Sequence, residues 1–412
     1  MVPTKLIRIS RYYMVTALFY LFITLAMGLL RAIVTIPDPL VHWAPAVLGW
    51  VSFPIMGAYY QFFPTLQGKD LRFENLALPQ YMVANLGLIV IFLASAIGFQ
   101  LGLVIGFGIY AVAVLMFAAI ILGNTDWSML SLTLRFFLAS LTYFVGAVAL
   151  LFLRSMGIGP MWADRPFVLH IIVFGWATLA VMGAEYIMVP MLQLKALRHP
   201  RLAEWQFYLI NLGFLGLAYS FTTASLPLIA SAGTLAFVGI LVFAYNIFAS
   251  LAHGPARLRR LDISVKYFMV GIVYLIATVI ASILMAAFHL YQLRPIHLHL
   301  GLIGFLTMTI VGAMYHIVPF VVWWEVYASK LGSEEVPLLH QLYNHRSATW
   351  QLYGLNAGLL TMIAGFCVNL TVLVAAGGTM LVVVSLAFAT EMLRVLGHRR
   401  GRNSITVATN HL

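Results

Sequence analysis

Long apolar runs follow one another along this chain, separated by short polar stretches. Each run approaches or exceeds the ~20 residues that an α-helix needs to cross about 30 Å of hydrocarbon. Only 8% of the 412 residues are charged and 63% are hydrophobic, which leaves too few charges to cover a water-soluble core. The sequence therefore predicts an all-α integral membrane protein with twelve transmembrane helices, at residues 12–33, 40–64, 79–99, 102–122, 132–153, 166–193, 203–224, 227–250, 266–289, 296–321, 349–372 and 375–396.

Basic residues predict how these helices are oriented. With the N-terminus inside, 19 of the 23 Lys and Arg lie on inside segments, and the four outside are Arg31, Arg154, Arg165 and Arg294. Inside segments of membrane proteins carry such an excess of basic residues. We therefore predict an N-in, C-in topology and a single membrane domain over residues 1–412. The net charge of +11 reflects the same bias, and the basic tail at 394–402 is expected to contact anionic membrane lipid and no nucleic acid.

The second, sixth and tenth predicted helices share one residue pattern, and we call them the marked helices. Counting from Gly49, Gly175 and Gly304, each has an aromatic residue at +1, Ser or Thr at +3, Gly at +8, Tyr at +11 and Pro at +15. Small residues alone would indicate close helix packing. Recurrence every four helices indicates a structural repeat as well. The pattern predicts three four-helix arcs related by pseudo-threefold symmetry.

Histidine lies near the predicted outer end of every marked helix. His42 and His297 lie seven residues before the repeat glycine, and His170 and His299 lie five residues before it. Two residues correspond to about 200° around a helix, so the two positions face opposite sides. A histidine inside a membrane needs a partner, which is either a bound metal or an interfacial hydrogen bond.

In a ring of three arcs, a pocket lies between each two neighbouring marked helices. One helix lines it with the position seven residues before its glycine, and the other helix lines it with the position five residues before. One arrangement pairs His42 with His299 and His297 with His170, and it leaves the third pocket apolar. Haem iron takes ligands on opposite sides, which two facing helices can supply. The only cysteine, Cys367, belongs to no Cys-x-x-Cys-His motif, so covalently attached c-type haem is excluded. We therefore predict two haems, of b type, held by histidine.

The stretch HLHLGLIGF, which begins at His297, resembles the tenth-helix His-x-His motif of the haem-copper oxidase superfamily large subunit. The resemblance is greatest to the cbb3-type and nitric oxide reductase branches, and the twelve-helix layout extends it over nearly the whole chain. It implies that His42 and His299 bind a low-spin haem and that His297 is the proximal ligand of a second haem. It places His170 where the family has a copper ligand. It also implies the cytoplasmic (inner) membrane of a prokaryote.

The predicted seventh helix departs from this family. The family takes two further adjacent histidine ligands of copper from that helix, but residues 203–224 contain no histidine. Phe174 stands where the iron-containing nitric oxide reductases have a glutamate, one turn after the sixth-helix histidine. One imidazole with hydroxyl groups gives too few strong donors for copper. We therefore expect no copper, and we expect His170 to face the second haem as its sixth ligand or as a distal hydrogen-bond donor.

Two arginines and one acid complete the candidate residues. Arg165 and Arg294 directly precede the histidine layer, where haem propionates would need guanidinium partners; headgroup anchoring is the alternative. Glu185 lies 15 residues beyond His170, which is about 22 Å toward the inside along a helix. We expect it either to take part in proton transfer or to pair with a loop cation at the interface.

The leading functional hypothesis is that the chain is a membrane redox protein. We assign no catalytic residue to it. It would pass electrons from a quinol, a cytochrome or another partner redox subunit through the His42/His299 haem and a second, copper-free haem site. One alternative is a divergent terminal oxidase or nitric oxide reductase that reduces O2 or NO. Another is a haem and copper membrane protein of the nitric oxide response or of oxidase assembly.

Overall fold

The computed structural model describes residues 4–34, 38–159, 165–223, 225–253 and 260–398, and these are almost entirely helical. Within them the only extended pairing is an isolated bridge between Leu331 and Glu334. Residues 399–402 of the predicted basic tail lie outside the described residues. The long helices are α1 (Thr4–Ile33), α2 (Leu40–Gln67), α3 (Ala77–Ala96), α4 (Gln100–Leu122), α5 (Leu132–Ser155), α6 (165–192), α7 (Pro200–Thr223), α8 (Leu226–Ala252), α9 (Ile263–Phe288), α10 (294–327), α11 (His345–Cys367) and α12 (Thr371–Leu396).

Ten of these helices are long and apolar enough to cross a membrane, counted over the described ranges. The other two, α7 and α11, lie where the sequence predicts the seventh and eleventh spans. Their mean hydropathy is lowered by amide side chains, Gln206 and Asn211 in α7 and Gln351 and Asn356 in α11. A multi-pass all-helical membrane fold is thus confirmed, whereas twelve spans and the N-in, C-in orientation remain predictions.

Some helix ends differ from the predicted bounds. The first helix begins at Thr4 rather than at residue 12, and α11 ends at Cys367 rather than at residue 372. The early end of α11 has a local cause, because Asn369 adopts a left-handed backbone conformation with φ 53°. A left-handed residue just past a helix closes its last turn and redirects the chain. Periodic hydrophobicity continues through this turn, which is why the sequence predicted a later end.

Each marked helix contains a π-helical stretch in its N-terminal half. These stretches are Pro45–Val51 in α2, Ile171–Thr178 in α6 and Leu300–Thr307 in α10. The +3 hydroxyls of the repeat, on Ser52, Thr178 and Thr307, donate to the carbonyl five residues earlier at 2.7 to 2.9 Å. Single π-helical turns inside α-helices are rare and frequently occur at functional sites. Here they lie directly after the histidine layer.

Indole groups connect neighbouring marked helices at the centre of the bundle. Trp50 of α2 donates to Thr307 Oγ1 at 2.9 Å, and Trp176 of α6 donates to Ser52 Oγ at 3.1 Å. The corresponding +1 residue of α10 is Phe305, which has no N–H to donate. All three aromatic side chains are buried. The +1 and +3 positions of the repeat therefore form a central belt with two hydrogen bonds between marked helices.

The repeat glycines allow the helix that precedes each marked helix in the chain to pack closely against it. A Cβ added at these glycines would lie 2.6 or 2.7 Å from a tyrosine Cγ, in the pairs Gly49/Tyr20, Gly175/Tyr143 and Gly304/Tyr274. Real Cβ atoms do not come so close to another heavy atom, so each position requires glycine. The same contact thus joins α1 to α2, α5 to α6 and α9 to α10.

Tyrosine–amide hydrogen bonds attach the helix that follows each marked helix, which is α3, α7 or α11, to the two helices before it. The first-helix tyrosines donate to asparagines at 2.8 to 3.2 Å, in the pairs Tyr20–Asn85, Tyr143–Asn211 and Tyr274–Asn356. The +11 tyrosines donate to glutamines of the same helices, in the pairs Tyr60–Gln80, Tyr186–Gln206 and Tyr315–Gln351. A buried amide without a partner would destabilise the fold. These pairs explain both the recurring +11 tyrosine and the polar residues of α7 and α11.

Candidate functional site

The four predicted histidines lie in the first turns of the marked helices, just before the π-helical stretches. His170 and His299 directly precede the stretches of α6 and α10, and His42 lies three residues before that of α2. All four are partly buried. The structure therefore gathers them into one layer, with His297 and His299 both on α10.

His42 is held by the first helix. Its Nδ1 lies 3.0 Å from the backbone carbonyl oxygen of Thr24, and the Thr24 hydroxyl donates to the Tyr20 carbonyl one turn earlier. A Cβ added at Gly28 would lie 2.8 Å from His42 Cε1, so the imidazole occupies the space that this glycine leaves open. One carbonyl and one glycine of α1 thus set the position of the ring.

His297 has the same environment on the ninth helix. Its Nδ1 lies 3.0 Å from the carbonyl oxygen of Thr278, whose hydroxyl donates to the Tyr274 carbonyl. Thr24 and Thr278 each follow the repeat tyrosine of their helix by four residues. At that position the fifth helix has Ala147, and the seventh residue before Gly175 on α6 is Val168 in place of histidine. A histidine seven residues before the repeat glycine and a threonine four residues after the tyrosine therefore occur together in two repeats. Both are missing from the repeat that contains α6.

His299 is fixed within its own helix. Its Nδ1 lies 2.7 Å from the Pro295 carbonyl oxygen, and its ring packs 5.3 Å from that of Phe366 in α11. A carbonyl can only accept a hydrogen bond, so Nδ1 carries the proton in His42, His297 and His299. The free lone pair is then on Nε2 of each ring. Metal-binding histidines commonly show this arrangement, in which a carbonyl orients the ring from behind.

One of the two predicted histidine pairs is in ring contact across the helices. The ring centroids of His170 and His297 lie 6.0 Å apart, with 23° between the ring planes. The pairing of His42 with His299 stays a prediction. The neighbour of His170 on α7 is Phe221, whose ring centroid lies 5.7 Å away. An aromatic ring thus approaches His170 from the helix on which the family carries copper ligands.

Neither arginine is shown to contact the histidine layer. Arg294 begins the first turn of α10, and its side chain is exposed. Arg165 begins α6, but its side chain lies outside the described residues. The expected propionate contacts therefore remain predictions. Over the described ranges, no three His, Cys, Asp or Glu side chains are grouped closely enough to hold a metal ion by themselves.

Glu185 is not the interfacial residue that the sequence allowed. Its side chain is 1% exposed, and neither carboxyl oxygen has a hydrogen-bond partner among the described residues. No salt bridge in that part of the chain includes it. The expectation that a loop cation pairs with it is therefore wrong. The error arose because helical rise gives depth along a helix but not the face on which a residue lies.

Known proteins resemble this chain in fold and, more distantly, in sequence. No protein-family model matches the sequence. An uncharacterized protein of Aquifex aeolicus (strain VF5) is 27% identical over 326 residues, which cover 77% of this chain and 80% of that protein. A chain of a haem-copper terminal oxidase dimer solved by cryo-EM aligns over 97% of this chain and 86% of its own length. The TM-score is 0.71 and the identity is 15%.

This structural similarity extends over the whole helical bundle. It confirms the expected fold, whereas membership of the haem-copper oxidase superfamily and the likeness to its cbb3-type and nitric oxide reductase branches stay predictions. The chain thus has the fold of a haem-copper terminal oxidase chain.

Proposed function

We propose that this chain is an integral membrane redox protein that binds two haems through the histidines of its marked helices. The observation that carries the proposal is the hydrogen bonding of His42, His297 and His299. Each Nδ1 lies 2.7 to 3.0 Å from a backbone carbonyl oxygen, which leaves Nε2 free as a donor to metal. Interfacial hydrogen bonding alone would not require three rings oriented in this way.

The donor set fits haem better than it fits a bare metal ion. Neutral imidazoles are common axial ligands of haem iron, and no side-chain cluster of the described residues supplies the three or more donors that a structural metal site needs. His42 and His299 would hold the first haem. His297 would hold the second, with His170 on its opposite side. Bound in this way, haem would supply one-electron redox chemistry that no side chain here provides.

The surrounding helices would control access to these groups. Phe221 and Phe366 place aromatic rings 5.7 and 5.3 Å from those of His170 and His299, centroid to centroid. Burial and axial ligation are the means by which a protein adjusts the reduction potential of haem. We propose a quinol, a cytochrome or another partner redox subunit as the electron donor, reached within or at the surface of the inner membrane. Lipid would surround the bundle.

A terminal oxidase or nitric oxide reductase is the second candidate. The overall similarity to a haem-copper terminal oxidase chain favours it. The seventh-helix neighbour of His170 opposes it, because Phe221 offers no ligand to copper. In this reading O2 or NO would be reduced at the second haem without copper, or at a metal held by ligands other than histidine.

The decisive quantities are haem, iron and copper per purified chain. They should be measured together with reduced-minus-oxidised and carbon monoxide difference spectra. We expect two non-covalent haems, matching iron, and copper well below one per chain. One copper per chain would contradict the proposed site and support the oxidase candidate. Absence of haem from protein made in haem-replete cells would contradict both.

A further inference from the structure

The helices that follow the marked helices share one more position, fifteen residues after the glutamine that accepts from the +11 tyrosine. We call it the flanking position. Counted from Gln80, Gln206 and Gln351, it is occupied by Ser95 in α3, Phe221 in α7 and Phe366 in α11. The asparagines that accept from the other repeat tyrosines stand five residues after the same glutamines. The alignment of the three helices therefore rests on residues other than the phenylalanines.

The two phenylalanines make the same contact. The ring of Phe221 lies 5.7 Å from that of His170, with 41° between the planes. The ring of Phe366 lies 5.3 Å from that of His299, with 35° between the planes. Centroid distances of about 4.5 to 7 Å with tilted or offset planes are typical of aromatic pairs. Both histidines lie five residues before a repeat glycine, so one ring contact recurs in two repeats.

The remaining repeat has neither partner. In α2 the residue five before Gly49 is Ala44, and the flanking position of α3 is Ser95. Ser95 has a different role, because its hydroxyl donates to Asp38 at 3.1 Å. The close packing of a helix after a marked helix does not by itself require phenylalanine at this position. Phenylalanine occurs where the marked helix has the histidine.

Phe221 contacts a second ring of α6. Its centroid lies 6.0 Å from that of Phe167, three residues before His170, and the two planes meet at 76°. The Phe167 side chain is only 5% exposed, so it gives Phe221 a buried support. His299 also has its Nδ1 hydrogen bond to the Pro295 carbonyl. Such a bond sets the direction in which Nε2 points, whereas a ring packed beside the imidazole opposes rotation of its plane.

We propose that Phe221 and Phe366 are positioning residues, each of which fixes the plane of the imidazole that it contacts so that this ring meets haem iron in one orientation. The inference rests on the proposed function, because the orientation matters only if these imidazoles bind iron. Phe366 acts on the first haem through His299, and Phe221 acts on the second through His170. The relative orientation of two axial imidazole planes determines the electron paramagnetic resonance (EPR) g-values of low-spin ferric haem. The EPR spectrum therefore reports this role directly.

Phe221→Leu and Phe366→Leu test the proposal in the purified full-length chain, because leucine is apolar but has no ring. Phe366→Leu should shift the g-values of the first haem alone. Phe221→Leu should shift those of the second haem alone and raise the fraction of it that binds carbon monoxide when reduced. Phe221→Tyr and Phe366→Tyr keep the ring and should give wild-type spectra. Methionine replaces leucine if either leucine variant does not fold, as judged by its melting temperature.

Phe207→Leu is the matched control on α7. Phe207 is half-buried like Phe221, but its ring packs against Phe136 at 5.0 Å and it lies 14 residues earlier in the helix. Fourteen residues correspond to about 21 Å along a helix, which places Phe207 far from the histidine layer. Its replacement should leave the g-values of both haems and the carbon monoxide binding as in the wild type.

Three results would overturn the proposal. Wild-type g-values and carbon monoxide binding in both leucine variants would show that the rings do not orient the imidazoles. Changes at both haems in either variant would indicate general loosening of the bundle. Tyrosine variants as altered as the leucine variants would show that the ring is not the cause. Haem content is measured on every sample: a wild type without haem contradicts the proposed function as well, whereas two haems with unresponsive spectra contradict this inference alone.

Discussion

The imidazole rings of His170 and His297 lie 6.0 Å apart, centroid to centroid, although they belong to helices α6 and α10. Metal–imidazole bonds are about 2 Å long, so rings at this spacing are close enough to bind opposite sides of one iron. If His170 is the sixth ligand of the second haem, His170→Ala should open that position. The reduced variant should then bind carbon monoxide at the second haem, with the first haem's spectrum unchanged.

His316→Ala is the control for this experiment. His316 lies on α10 as well, but toward its predicted inner end beside Phe320. Its removal should leave both haem spectra as in the wild type. Equal carbon monoxide binding in wild type and His170→Ala would show that the sixth position is already open, and His170 would then be only a distal residue.

Gly28 should matter to the first haem alone. An alanine Cβ at this position would lie 2.8 Å from His42 Cε1, so the ring must move off its hydrogen bond to Thr24. Loss of such an orienting contact typically reduces metal affinity 10- to 100-fold. Gly28→Ala should therefore release or weaken the first haem and leave the second in place. Gly146→Ala, where no atom lies within 4 Å of the new Cβ, should change neither.

The central belt makes a prediction about stability. Trp176 donates to Ser52 at 3.1 Å between α6 and α2, and buried hydrogen bonds of this kind contribute about 0.5 to 1.5 kcal/mol. A double-mutant cycle with Trp176→Phe and Ser52→Ala should give a coupling free energy of unfolding of about 1 kcal/mol. The measurement is unfolding in mixed micelles. Additive effects of the two changes would mean that the bond contributes nothing.

Mild acid should lower the stability of the fold through His345, the first residue of α11. Burial, with the nearby His340, lowers the pKa of His345 below its ordinary value of about 6.5. The unfolded chain then binds more protons than the folded chain, so stability falls as pH drops below about 6.5. His345 packs against Tyr343 at 4.8 Å. The apparent melting temperature should fall between about pH 7.5 and about pH 5.5, and less so in His345→Gln.

Repetition made much of the fold predictable. The pattern around Gly49, Gly175 and Gly304 located the marked helices, and the structure shows each of these glycines against an equivalent tyrosine ring. The same alignment extended to the neighbouring helices would have located those tyrosines and their asparagine partners. Polar residues of α7 and α11 would then have been recognised as parts of the repeat. Helix ends were less predictable, because a left-handed residue such as Asn369 carries no periodic signal.

The candidate site was predictable for the histidines but not for their supports. Spacing on one helix places His297 and His299 on opposite faces, which sequence alone shows. The Thr24 carbonyl acts through its backbone, and Gly28 acts through the absence of a side chain. Neither role depends on residue chemistry that a motif would reveal. The location of Glu185 likewise depends on how α6 is rotated toward α10, which only packing decides.

The central claim is that His297 and His299 belong to two separate haem pockets on opposite sides of α10. Haem per chain and difference spectra of His42→Ala and His297→Ala test it most directly. Each variant should retain one haem, with His42→Ala losing the low-spin spectrum and His297→Ala losing the other. Loss of the same spectral component in both variants, or no loss in either, would contradict the account.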